Sequence, residues 1–206
     1  MHWSLRELNC QRSAKNTLSH STPVYLVRHF KPSVDDGLCY GQSDIPARAI
    51  HCAADAQQLQ TLLKQLPAEA CVFCSPLRRC VTLAADLFPK CSVNFNPLLK
   101  ELNFGAWEMT PWDAIDRAQL DAWAENYLFF TPPQGESFDD LCQRVKRFVA
   151  ENITRPTPAI IITHAGVIKA FLYLFGGADL AAAIGYSAPF GSVTRVAIPL
   201  VVKNTE

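Results

Sequence analysis

Apolar positions along this chain come in two spacings. Val24 to Val27, Cys71 to Cys74 and Ala159 to Thr163 are short uninterrupted runs with the length of buried strands. From Ala47 to Leu66 the apolar residues recur instead at helical spacing, through Leu59, Leu62, Leu63 and Leu66. Ser75-Pro76 predicts a helix start, with serine as N-cap and proline in the first helical position. Ser137 with Asp140 predicts a capping box for a helix reaching about Glu151. A further helix is expected over Val167 to Phe175, and a last strand over Val193 to Val202, marked as an edge by Pro199. Residues 1–22 are polar and irregular and read as an extension, leaving 23–206 as one domain. Glu101 to Pro133 stands apart, dense in tryptophan, phenylalanine and tyrosine and closed by Pro132-Pro133. Strands alternating with helices predict an α/β domain with a mainly parallel sheet.

Composition changes this picture little but narrows the chemistry. With 49% hydrophobic and 18% charged residues in 206, the chain is globular and long enough for one substantial core. Nineteen basic residues balance nineteen acidic ones, so no overall field recruits nucleic acid or an anionic membrane. An anionic ligand must therefore be held by a local cluster of cations. Eight cysteines are too few for a disulfide scaffold and sit in apolar runs, where a reduced thiol acts as a small hydrophobe. Cys71 and Cys74 form a C-x-x-C, but residues three apart in a strand face opposite ways, and no second ligand pair follows. The absence of an apolar leader segment and the free thiols predict a cytoplasmic protein. The most apolar stretch, Ala159 to Tyr186, is interrupted by His164, Lys169 and Asp179, which fits a buried strand and helix rather than a membrane span.

Three strand exits carry the candidate chemistry. The first run ends in Arg28-His29, the second leads to Ser75-Pro76-Leu77-Arg78-Arg79, and the third ends in His164-Ala165-Gly166. Open α/β sheets bind ligands outside the carboxyl ends of their strands, where helix N-termini offer unpaired N–H groups. Arginine forks match phosphate oxygens, and a neutral imidazole can attack phosphorus. Phosphoryl transfer also needs a proton for the leaving alcohol, and Glu101 is the candidate donor. Each residue has an ordinary reading too: a core histidine, a solvated arginine such as Arg78, a surface carboxylate. The tryptophans read first as the core of an inserted helical segment and second as stacking groups.

The motifs resemble those of the histidine phosphatase (phosphoglycerate mutase-like) superfamily. Leu26-Val27-Arg28-His29 is similar to its opening motif, and Ser75-Pro76-Leu77-Arg78-Arg79-Cys80 to its second. Glu101 to Glu108 resembles the acid-bearing segment, Gly135-Glu136-Ser137 the start of the helix before the last motif, and Thr163-His164-Ala165-Gly166-Val167 the final histidine motif. Gly37 to Asp44 looks most like the α-ribazole phosphatase branch of cobalamin synthesis. The resemblance implies His29 as the nucleophile and Glu101 as proton donor. Arg28, Arg79 and His164 would clamp the phosphoryl oxygens with the Ala165 N–H, and Gln42 would lie at the pocket mouth. Phe30 departs from the pattern, standing where the family has glycine, and Phe30-Lys31-Pro32 replaces its acidic and threonine residues.

The expected fold is a three-layer α/β/α sandwich with a helical cap at about 105–156. The expected reaction is phosphomonoester hydrolysis, with no metal or cofactor because arginines supply the charge. The expected partner is a small phosphorylated metabolite, with neither nucleic acid nor membrane; a homodimer is left open. Tyr40 and Trp107, flanking the motifs, are expected at the pocket mouth, where they could stack a substrate ring. Two alternatives stand beside hydrolysis: a mutase that re-transfers the phosphoryl group, and a binding protein that has lost turnover.

Overall fold

The computed structural model describes residues 21–47 and 53–200. Five strands form one sheet in the order β3-β2-β4-β1-β5. They are β1 (Ser21–Arg28), β2 (Cys71–Cys74), β3 (Val93–Phe95), β4 (Ala159–Thr163) and β5 (Val193–Pro199). The first four are parallel and β5 runs antiparallel on the edge beside β1. Pro199 closes that edge strand, where a missing N–H costs no interior ladder bond. Ser21 and Thr22, assigned by sequence to the extension, belong to β1 and pair with Pro199 and Ile198. The rest of that extension, and Val201–Val202, lie outside the described residues.

Side-chain alternation sorts the sheet into two apolar layers. Leu26, Phe73 and Ile161 face one side, covered by α4 (Phe138–Asn152) and α5 (Ala165–Phe175). Val27, Val72, Cys74, Ile160 and Ile162 face the other, covered by α1 (Ala53–Gln65) and α2 (Arg78–Leu87). All five residues of β4 are buried, which is why that run is continuously apolar. Each buried isoleucine there contributes about 1.5–3 kcal/mol of transfer free energy. The three-layer α/β/α sandwich expected from the sequence is thus present.

Two local expectations change. Helix α2 starts at Arg78 behind Leu77, with no side-chain cap, so Ser75 is not its N-cap. Helix α4 does open on the capping box of Ser137 and Asp140. Its buried residues Leu141, Val145 and Phe148, however, belong to the main core layer. The expected cap at 105–156 therefore shrinks to the segment before α4. That segment holds 3-10 turns at Gly105–Trp107 and Trp112–Ala114 and the helix α3 (Arg117–Glu125). Among the described residues, no helix is long and apolar enough to cross a membrane.

Candidate active site

Parallel register delivers the two histidines side by side. Arg28 pairs with Thr163 across β1 and β4, so His29 and His164 leave the sheet on one level. The His29 N–H donates to the Thr163 carbonyl at 3.1 Å, and the Ser75 N–H to the Ile162 carbonyl at 2.9 Å. The imidazole centroids are 5.1 Å apart, edge to face.

His29 is 2% exposed. Its Nδ1 lies 2.6 Å from the Phe30 carbonyl, which can only accept, so the proton sits on Nδ1 and the lone pair on Nε2. Burial, then the positive field of Arg79 and more weakly of Arg28, drives its pKa down to about 3; the bond to Phe30 opposes the shift. The ring is neutral near pH 7, the state a nucleophilic imidazole needs.

His164 is held from both sides. The Arg79 Nε–H donates to its Nδ1 at 3.3 Å, and its Nε2 lies 2.8 Å from Ser75 Oγ. Because a guanidinium only donates, Nδ1 is the acceptor and Nε2 carries the proton toward Ser75. Burial first, then Arg79, holds the ring well below its ordinary pKa. Sequence reasoning gave Ser75 to the helix; its hydroxyl instead accepts from His164 Nε2, in the tautomer that Arg79 imposes.

Arg79 is fully buried, and α2 points it back at the strand exits. Its two terminal nitrogens donate to the Gly41 carbonyl at 2.6 Å and the Ser43 carbonyl at 2.9 Å. One N–H remains on each terminal nitrogen. Arg28 is sandwiched differently. Its guanidinium stacks on Phe190, 3.8 Å from Cζ to ring centroid, and one terminal nitrogen donates to the Ala188 carbonyl. Its Nε is buried with no hydrogen-bond partner among the described residues. Burial lowers the Arg28 pKa, while Glu101 and Tyr40 oppose that shift. Phe190, whose ring centroid is 5.6 Å from that of His29, is a site residue the sequence reading missed.

Glu101 enters from the segment between the 3-10 turn at Pro97–Leu99 and the cap. Its carboxylate accepts from the Leu102 N–H at 2.9 Å and from the Gly166 N–H at 3.1 Å, at the N-terminus of α5. A side chain at position 166 would meet that carboxylate at 2.3 Å, so glycine there makes room for the acid. Ala165, expected to offer its N–H, is the first residue of the same helix.

The loop after the nucleophile is bound to the cap. Glu108 accepts from the Gln42 N–H at 2.7 Å, the Ser43 N–H at 2.6 Å and the Ser43 hydroxyl. Cys39 is tied to the same segment through Cys39 N–H to Thr110 O at 2.9 Å and Met109 N–H to Cys39 O at 2.7 Å. At Gly41 a Cβ would come within 2.1 Å of the Leu102 carbonyl. Gln42 donates its side-chain amide to the Glu101 carbonyl at 3.1 Å. Tyr40 lies beside Arg79, 5.5 Å from Cζ to ring centroid. Burial raises its pKa, against the opposing fields of Arg28 and Arg79.

Trp107 is the expectation that the structure moves. It is 4% exposed, stacks on Phe130 at 5.8 Å, and donates its indole N–H to Gln119 at 2.8 Å. With its ring buried and its donor engaged in the cap, it packs as part of the cap's core. Phe30 is accounted for by packing. Its ring packs into the α1–α2 layer and against Gly191, where a Cβ would meet it at 2.5 Å.

Comparison with known proteins supplies the family. Residues 24–199 match the family described as histidine phosphatase superfamily (branch 1). The adenosylcobalamin/alpha-ribazole phosphatase of Escherichia coli K12 is 31% identical over 156 residues, which is 71% of this chain and 75% of that protein. The crystal structure of the alpha-ribazole phosphatase from Shigella flexneri superposes with a TM-score of 0.72 at 25% identity, covering 87% of this chain and 95% of that one. A phosphoglycerate mutase structure from Thermus thermophilus superposes with a TM-score of 0.65 at 29% identity, covering 88% and 100%. With two histidines and two arginines gathered at the carboxyl ends of its parallel strands, the chain belongs to the histidine phosphatase superfamily and is a phosphatase.

Proposed function

We propose that this phosphatase works through a phosphohistidine on His29, and that its substrate is α-ribazole 5′-phosphate or a close relative. The carrying observation is the state of His29: neutral, with its proton held on Nδ1 by Phe30 and its lone pair left on Nε2. Nε2 attacks phosphorus and the P–O ester bond breaks, while Glu101 gives a proton to the leaving oxygen. Water then attacks the phosphorus and Glu101 takes its proton. The N–P bond breaks, its electron pair returns to Nε2, and inorganic phosphate leaves. The Nε–H of Arg28 and the remaining N–H groups of Arg79 meet the negative charge on the equatorial oxygens. His164 acts through Arg79, whose fork it orients from its Nδ1. No step is assigned to a metal.

Two observations support the substrate class: the activity named for the relatives, and the half-buried Tyr40 ring beside Arg79. Tyr40 can stack a flat base one ribose away from the phosphate, a contact worth about 0.5–1.5 kcal/mol beyond area burial. The likeness to a mutase structure keeps re-transfer in view, and the product decides: inorganic phosphate for hydrolysis, an isomerised ester for the mutase.

The test is rapid-quench labelling with a radiolabelled ester in EDTA. An acid-labile, alkali-stable phosphoprotein is expected in the parent and none in His29→Ala, whose turnover falls on the order of 10³-fold or more. Near-parental turnover in a folded His29→Ala overturns the mechanism. For substrate, kcat/KM on α-ribazole 5′-phosphate should exceed that on ribose 5-phosphate at least about tenfold, or ~1.4 kcal/mol in the transition state, and Tyr40→Ala should erode the difference. Equal efficiency on the two esters makes this a general small-ester phosphatase.

A further inference from the structure

Against the Glu101 main chain sits a partly buried ion pair to which the reaction assigns no step. Arg144 of α4 meets Glu136 twice, through Nε to Oε2 at 3.1 Å and a terminal nitrogen to Oε1 at 2.6 Å. The two side chains are 15% and 17% exposed. A pair this buried is weak evidence for stability, because the cost of desolvating both charges offsets most of their attraction. Nor does α4 need it to form, having its capping box and a continuous apolar face.

The remaining bonds of the pair all go to one segment. Arg144 donates to the Leu98 carbonyl at 2.7 Å and to the Glu101 carbonyl at 2.9 Å. Glu136 accepts the Asn103 N–H at 3.0 Å, and its own N–H donates to the Asn103 carbonyl at 2.9 Å. The backbone is thus gripped before, at and after Glu101, and Gln42 adds a second donor to the Glu101 carbonyl from the loop side. This main chain has no regular secondary structure of its own at residues 101–104.

We infer that Arg144 and Glu136 are positioning residues for the proton donor, fixing the backbone from which the Glu101 carboxylate reaches the leaving oxygen. The inference rests on the reading of Glu101 as the general acid. Displacing a catalytic group by about 1 Å can cost on the order of 10²-fold, and the loss appears only where the proton matters. Aryl oxides leave with little help, whereas alkyl oxides need the acid.

The experiment compares an aryl and an alkyl phosphate across four variants, with thermal unfolding recorded for each. Glu101→Gln establishes the acid, and should lose ~10²–10⁴-fold on the alkyl ester and far less on the aryl one. Arg144→Lys keeps the charge, but one ammonium cannot span both carbonyls and both Glu136 oxygens. It should lose about 10- to 100-fold on the alkyl ester while the aryl ester stays within about threefold. Glu136→Gln should move the same way by less. Arg147→Lys, which alters the exposed pair of Arg147 with Glu151 on the same helix, should change neither ester. Equal losses on both esters in Glu101→Gln would remove the acid and this inference with it. A selective Glu101→Gln beside an Arg144→Lys and a Glu136→Gln that are unchanged, or equally impaired on both esters, would overturn the positioning role alone.

Discussion

Two buried clusters of this phosphatase use large side chains for opposite ends. Around His29 the bulk is polar: Arg79 and His164 are fully buried, and each of their nitrogens bonds a carbonyl, a hydroxyl or one another, with one N–H left over on each terminal nitrogen of Arg79. In the cap the bulk is aromatic, with Phe104, Trp107, Trp112 and Trp123 meeting edge to face or stacked at 5.4–6.1 Å. The cap leaves the Trp107 donor satisfied. The site leaves Arg28 with a buried N–H and no partner among the described residues. Buried unsatisfied donors are rare because each costs about 1–3 kcal/mol, and in the proposed mechanism a phosphoryl oxygen fills this deficit. Among the described residues, Arg28 Nε and Ser192 Oγ are the buried side-chain polar atoms without a partner, and neither belongs to the cap.

The sharpest way to break this contrast is Trp107→Ala. A scaffold residue should cost about 3–5 kcal/mol of stability. The ratio of kcat/KM between α-ribazole 5′-phosphate and ribose 5-phosphate should stay unchanged in the folded fraction. Denaturant titration and steady-state kinetics measure the two effects, and a changed ratio at unchanged stability would return Trp107 to the pocket.

A smaller effect should separate the clusters by pH. The pKa of His29 falls from 6.5 in the open chain to about 3 in the fold, and that of His164 falls as well. Between these values the unfolded chain binds protons that the folded protein refuses. The stability held above pH 6.5 is therefore lost progressively as pH falls toward 3. The urea midpoint should drop between about pH 6.5 and 4. His29→Asn should make that slope shallower, while Trp107→Ala should lower the midpoint and leave the slope alone. A slope identical in His29→Asn and the parent would mean the imidazole is not held neutral.

Phe30→Gly is expected to act least. The ring packs in the α1–α2 layer, so its loss should lower Tm by a few degrees, with turnover within about threefold of the parent. A gain of hydrolysis from an inactive parent would instead support the binding protein that has lost turnover.

The strand exits were legible in the sequence because a parallel sheet turns linear runs into aligned ends. Once Val24–Val27 and Ala159–Thr163 are neighbouring strands, Arg28-His29 and His164 must emerge together. The capping box of Ser137 and Asp140 was legible for a related reason, since it is made within one turn. Ser75 was misassigned because a serine before proline carries the same local signal whether it caps a helix or bonds a distant imidazole. Helix α4 was given to the cap although Leu141, Val145 and Phe148 recur at the spacing of a core-facing stripe. Arg144 escaped notice, and Glu136 was read as part of a motif without a role, because both grip main-chain carbonyls and N–H groups, and main-chain atoms leave no residue signature.

The binding of the post-nucleophile loop to the cap bears on how such a protein can be re-engineered. Bonds from Cys39, Gln42 and Ser43 end on residues 108–110, and a further one runs from the Trp112 N–H to the Gly37 carbonyl. A cap grafted from another family member would leave these donors and acceptors facing foreign partners. Residues 37–43 and 104–112 are therefore bonded as one unit, and moving either alone would loosen Gly41 and Ser43, whose carbonyls hold Arg79.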